Sequence, residues 1–167
     1  SINASKMEFV TDLDTFAADA ACVIPAQKAG AIATAAGVND GDWCPVYPNT
    51  MASKTNSNIY VLGDASIAKP MPKSGSSANS QAKVAASAVC HDLIGGARLP
   101  ARYTNTCWSL IATNDGIKVG ANYEAGVNKI EIINKFISGK DETAEKQKRT
   151  YEESIDWYKQ ITTDMFS

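Results

Sequence analysis

The sequence predicts an α+β chain in two parts: a strand–turn–helix unit over residues 7–96 and a small β-meander closed by a helix over 97–167. Three observations carry this. The run Ile59-Tyr60-Val61-Leu62 stops at Gly63-Asp64 and leads through a glycine-bearing loop into an alanine-rich helical stretch. After Pro100 the pattern changes to β-rich segments broken by Asn114-Asp115-Gly116 and Gly126-Val127-Asn128. From Asp141 onward charge density rises and apolar residues recur at helical spacing.

In chain order, residues 1–6 are expected to be a cloning remnant or a disordered start. Met7 to Thr11 alternates as a short strand does, and Thr15 to Asp19 leads into a second strand over the apolar run Ala20–Ile24, which Pro25 ends. The alanine-rich stretch 26–37 ends in Gly37, which suits a short helix with a glycine after its last turn. Trp43-Cys44-Pro45-Val46 reads as extended, and Ile59–Leu62 as a buried strand. A helix is expected from about Ala78 to Ile94, with Ala82, Ala85, Ala86, Val89 and Leu93 on one face and Gly95-Gly96 at its end. Cys107–Ala112, Ile117–Tyr123 and Lys129–Ile133 form the meander. In the last helix Tyr151, Ile155, Tyr158, Thr162 and Met165 share a stripe beside Trp157, a spacing of core packing rather than of a cofactor box.

Composition removes several functional classes. Lys and Arg number 16 against 18 Asp and Glu, too balanced for a nucleic-acid surface that works by displacing counterions. No apolar run approaches the roughly 20 residues that a membrane-spanning helix needs. The cysteines Cys22, Cys44, Cys90 and Cys107 lack any C-x-x-C spacing and His91 is the sole histidine, so no metal site is expected. Cys22, Cys44 and Cys90 read as small hydrophobes and His91 as a capping or surface histidine.

The Gly63-Asp64 turn carries the sharpest chemical signal. A carboxylate at the end of a sheet strand accepts a hydrogen bond from a ligand hydroxyl, and a glycine beside it lets backbone approach that ligand. The helix that follows presents unpaired N–H groups and a partial positive charge to an anion or an electron-rich ring. Taken alone, the same dipeptide also makes an ordinary turn.

The order AADAACVIPAQ, alanine-rich helix, extended segment and TNSNIYVLGDAS resembles the C-terminal return segment of the FAD domain in two-dinucleotide-binding-domain flavoproteins. Within that superfamily, GDASIAKPMPKSGSSANSQAKVAA, TNTCWS and the WYKQITTDMF tail are similar to the flavoprotein subunit of flavocytochrome c sulfide dehydrogenase. The resemblance spans nearly all of residues 7–167. It implies that 7–96 is the C-terminal part of an FAD-binding domain and 97–167 that family's C-terminal flavin-binding and interface domain. It further implies FAD as cofactor, with Gly63 and Asp64 at the nucleotide. Lys73 would stand near the flavin pyrimidine, where a cation favours the anionic reduced ring, or else be a solvated loop lysine, and Ser76 and Asn79 would line the same edge.

By the same resemblance Cys107 is one of two cysteines of a redox disulfide beside the flavin, its partner lying upstream; read without it, Cys107 is a core cysteine. The whole protein would then oxidise sulfide in the periplasm and pass electrons to a c-type cytochrome subunit. No G-x-G-x-x-G occurs, so the first half of the FAD site is expected upstream, and this chain alone is expected to be colourless, inactive and prone to self-association. Two alternatives stand beside this reading: a sulfide:quinone reductase-like flavoprotein segment, against which the charged run KDETAEKQKR argues, and a non-catalytic interaction or dimerisation module.

Overall fold

A computed structural model describes residues 1–166. The chain opens with three short antiparallel strands, β1 (Ile2–Asn3), β2 (Glu8–Val10) and β3 (Thr15–Ala17). The N-terminal amine donates to Val10 O at 2.8 Å, and Ile2 stands opposite Phe9. Ile2 and Asn3 thus pair with β2, and Ala4–Lys6 form an exposed 3-10 turn, so this start is ordered in the structure. The apolar run 20–24 forms no strand: it meets no neighbouring strand, and Ile24 is 84% exposed. Ladder hydrogen bonds, not apolar content alone, make a strand.

A short helix α1 (Ala31–Ala35) follows, and Gly37 takes φ +65° just beyond it, so a glycine does close this helix. Strand β4 (Cys44–Pro45) runs parallel to β5 (Ser66–Ile67). Between them residues 51–53 and 59–61 lie antiparallel, held by Ser53 N–H to Ile59 O at 2.7 Å and Val61 N–H to Met51 O at 2.9 Å. The segment Ile59–Leu62 is thus extended but half-exposed, with one irregular neighbour, and is not the buried sheet strand expected.

Helix α2 (Gly75–Ile94) begins three residues earlier than the periodicity predicts, because Ser74 caps it by accepting the Ser77 N–H at 3.1 Å. Its buried face is also different. Ser76, Ser77, Ser80 and Gln81 are buried with Ala85 and Ala88, while Leu93 is exposed. The reason is the neighbour: α2 lies along the free edge of the next strand, where bare amides call for hydroxyl acceptors.

Strands β6 (Arg102–Ala112), β7 (Asp115–Ala125) and β8 (Ile130–Ile137) form the expected meander. The first turn falls on Thr113-Asn114, with Ala112 opposite Asp115 and Asn114 in the left-handed region at φ +61°. Helix α3 (Ala144–Phe166) packs on β7. It approaches most closely at Gly116, where an added Cβ would sit 2.9 Å from the Tyr151 backbone nitrogen. Thr150 is its buried residue, flanked by half-buried Tyr151, Ser154, Trp157 and Ile161, and Trp157 rests on Trp108 with ring centroids 5.4 Å apart. Ile155, Tyr158 and Met165, expected in the core stripe, are exposed. The stripe is rotated towards Thr150 by that close approach.

One apolar cluster joins the two parts: Val46, Met51, Ala68, Met71 and Ala85 from the first pack with Tyr103, Ala121, Tyr123 and Ile130 from the meander. The mixed composition is α+β. Among the described residues, no helix is long and apolar enough to cross a membrane.

Candidate functional site

Gly63 occupies φ +67°, a conformation open to glycine and strained for other residues, and starts a 3-10 turn through Ala65. Its N–H donates to the buried Gln81 Oε1 at 2.7 Å, and its carbonyl accepts from Ser66 Oγ at 2.8 Å. The turn is therefore pinned to α2 from behind. The Asp64 carboxylate faces outward and is exposed; no hydrogen bond within the described residues engages it. Its backbone carbonyl accepts from Lys73 Nζ.

Lys73, though exposed, folds back over this turn. Besides Asp64 O it donates to Ser66 O at 3.1 Å, and its ammonium stands 3.7 Å from the centroid of the Trp43 ring. Burial lowers the Lys73 pKa, opposed by the attraction of Asp64. Gly63, Lys73, Gln81 and Trp43 line one cavity of about 300 Å³.

The residue after Lys73 turns the chain towards the meander. Ser74 Oγ donates to Asn105 Oδ1 at 2.5 Å, and Ser77 Oγ donates to the same atom at 3.1 Å. Asn105 Nδ2 in turn donates to Cys107 Sγ at 3.6 Å. Asn105 and Cys107 share a face of β6 because side chains alternate along a strand. Asp64 and Cys107 are thereby linked through Lys73, Ser74 and Asn105 around the N-terminus of α2. Cys107 is a free, exposed thiol. Burial, with a smaller electrostatic contribution from the neighbouring Cys107, pushes the Tyr123 phenol pKa up.

The remaining sequence candidates divide. Ser76 is buried with its hydroxyl accepting the Thr106 N–H at 3.1 Å, so its oxygen is turned to β6. Asn79 lines, with Ser76, Lys83, Arg102, Asn134 and Trp157, a second cavity of about 550 Å³ between α2, the sheet and α3. Neither joins Gly63 and Lys73 in theirs. Cys44 is fully buried among Ala33 and Val38, and burial raises its thiol pKa against the pull of Lys73. Cys22, expected in a strand, and Cys90 on α2 are exposed free thiols. His91 Nδ1 lies 2.7 Å from Gly96 O at the end of α2, a capping contact. Among the described residues no group of three His, Cys, Asp or Glu could hold a metal ion.

Four residues of the site escaped the sequence reading: Trp43, Ser74, Gln81 and Asn105. Two had a signal. Ser74 and Ser77 have the spacing of a helix cap, and Asn105, two residues before Cys107, must share its strand face.

The residues suit a flavin nucleotide. An exposed carboxylate stands at a glycine turn, and beside it opens the N-terminus of a 20-residue helix. At Gly75 a Cβ would meet nothing within 4 Å, leaving room for a ligand against the first helical turn. Residues 99–166 match the protein family described as flavocytochrome c sulphide dehydrogenase, flavin-binding.

Proposed function

We propose that the chain, whose residues 99–166 match the family described as flavocytochrome c sulphide dehydrogenase, flavin-binding, is the part of a sulfide-oxidising enzyme that brings a nucleotide turn and a redox cysteine to one helix end. Flavin is the cofactor of this domain type, in keeping with FAD in the full-length protein. Residues 7–96 would complete the FAD-binding part and 97–167 the C-terminal part, in a periplasmic protein. The observation that carries the reading is the contact path from Asp64 through Lys73, Ser74 and Asn105 to Cys107.

In this reading Asp64 accepts hydrogen bonds from the nucleotide, and Gly63 lets its backbone come close. Lys73 clamps the turn and holds a positive charge there. Ser76 acts indirectly, by fixing β6. Cys107 forms a disulfide with a cysteine of a preceding segment. Hydrosulfide attacks one sulfur of that disulfide: a new S–S bond forms, the cysteine–cysteine bond breaks, and a persulfide and a thiolate result. When the thiolate closes the disulfide again, zero-valent sulfur and a proton leave and two electrons are released. A flavin held by Gly63, Asp64 and Lys73 would supply the acceptor for that pair and the link to a one-electron acceptor, a c-type haem on a partner subunit.

Cys107→Ser in the enzyme with its preceding segment tests this. The variant is expected to keep its flavin absorption band and to lose sulfide-dependent flavin reduction by at least about a thousandfold, the scale of losing an activated nucleophile. Flavin reduction by sulfide at the parent rate would remove Cys107 from the chemistry and the reading with it.

A further inference from the structure

We infer that Asn105 is a positioning residue for Cys107: its carboxamide, oriented by the hydroxyls of Ser74 and Ser77, holds an N–H on the Cys107 sulfur and stabilises that sulfur as an anion. The inference rests on the redox reading of Cys107 and adds to it the group that acts on the sulfur.

The orientation of the amide follows from proton counting. Ser74 Oγ already accepts the Ser77 N–H at 3.1 Å as the helix cap, so its own proton is free to donate, and it meets Asn105 Oδ1 at 2.5 Å. Ser77 Oγ supplies a second donor to the same oxygen at 3.1 Å. With two hydroxyl protons on Oδ1, the NH₂ end points the other way, to Cys107 Sγ at 3.6 Å. Turning the amide over would forfeit both hydroxyl donations to Oδ1 and the N–H to Sγ, and aim a carbonyl oxygen at the sulfur.

The network is rigid as well as directional. Asn105 is 3% exposed, and Ser77 is buried. Ser74 belongs to the cap of a 20-residue helix, so the positive end of α2 stands behind the same oxygen. Val119 faces Cys107 across the sheet and offers no competing donor. A hydrogen bond to a charged acceptor is about twice as strong as one to a neutral group. The Asn105 N–H thus favours the sulfur most when it is anionic, the state it reaches when a disulfide opens.

Alkylation of the full chain by iodoacetamide reads this state directly. The thiolate forms an S–C bond as the C–I bond breaks, and iodide leaves with the electron pair. Peptide mass spectrometry resolves the sites, so exposed Cys22 and Cys90 serve as internal standards. Asn105→Ala is expected to slow alkylation of Cys107 roughly tenfold, the size of one lost hydrogen bond to charge, and to leave Cys22 and Cys90 unchanged. A Ser74→Ala, Ser77→Ala double variant, which frees the amide to rotate, should slow it about threefold. A purely structural role would loosen β6 and speed the reaction, so the sign discriminates. If circular dichroism shows Asn105→Ala unfolded, the serine variant decides alone.

An unchanged or faster Cys107 rate in folded variants overturns the role of Asn105 and leaves the redox reading intact. Sulfide-driven flavin reduction surviving Cys107→Ser removes the redox reading and leaves the Asn105 effect on the thiol standing.

Discussion

Ser80 Oγ accepts the backbone N–H of Thr104 at 2.9 Å, and one helical turn earlier Ser76 Oγ accepts that of Thr106 at 3.1 Å. Both amides lie on the edge of β6 that β7 does not pair. A row of serines on α2 therefore does the work of a neighbouring strand, satisfying the edge and closing it to other chains. The same helix end holds Asn105 through Ser74 and Ser77. Seating β6 and aiming its cysteine are one piece of structure.

Removing both hydroxyls should expose this dependence. Ser76→Ala with Ser80→Ala leaves two amide donors without acceptors, at about 1–3 kcal/mol each. Urea unfolding should show a loss of that size, and amide hydrogen exchange should quicken at Thr104 and Thr106 first. Equal protection of those two amides in parent and variant would mean that another group satisfies them.

That serine row explains what the sequence left illegible. Helical periodicity finds the face whose side chains are apolar, and for α2 that gave Ala82, Ala85, Ala86, Val89 and Leu93, of which Ala85 is buried. The helix instead buries small hydroxyls, because its neighbour is a strand edge and not an apolar sheet face. The meander was legible for the opposite reason. Alternation and turn chemistry are local, and β6, β7 and β8 pair in sequence order. The runs 20–24 and 59–62 were misread because a strand is defined by its neighbours, and an apolar run carries no record of them.

Gly120 stands opposite Thr106 and leaves no room for a side chain. A Cβ there would lie 2.2 Å from Asn105 O and 2.5 Å from Phe136 Cζ. Gly120→Ala must push β6 from β7 at Asn105 and Thr106, just before Cys107, and should cost about 3 kcal/mol, the upper range for overpacking. Equilibrium unfolding checks the cost. Emission from Trp108 of β6 and Trp157 of α3, whose ring centroids lie 5.4 Å apart, should shift as α3 reseats. Parent-like stability and emission would show that the strand slides without loss.

The two ends of the contact path stand out in the sequence and its middle does not. Gly63, Asp64 and Cys107 stand out through turn chemistry and family resemblance. Lys73 was flagged as well, yet its ammonium faces inward, onto two carbonyls and the Trp43 ring. A loop lysine beside proline reads as solvated, since nothing local reveals an aromatic face thirty residues away in sequence. Gln81 and Asn105 are single polar residues whose importance comes from burial, which composition does not report.

The contact between Tyr60 and Asp92 ties the extended segment before Gly63 to the far end of α2, and it should leave a signature in pH. Tyr60 OH donates to Asp92 Oδ2 at 2.6 Å, and Arg98 pairs with Oδ1 at 2.8 Å. The tyrosine hydrogen bond, with the Arg98 charge, holds the Asp92 carboxyl below its ordinary 3.8. The same bond is the largest cause raising the Tyr60 phenol above 10.0, with burial behind it. A depressed acid stabilises the fold fully above its unfolded value and loses that contribution as pH falls through the folded one. A raised phenol contributes fully below its unfolded value and loses it as pH rises through the folded one. The Tm difference between parent and Tyr60→Phe should therefore be flat from about pH 5 to about pH 9, between the ordinary Asp and Tyr values. It should shrink on both sides, in acid as Asp92 protonates and in base as Tyr60 ionises. Other carboxyls, Asp164 among them, are common to both proteins and cancel in the difference. A difference that stays constant into acid would show that the hydroxyl stabilises the fold without Asp92, and that segment 59–62 is held to α2 by packing alone.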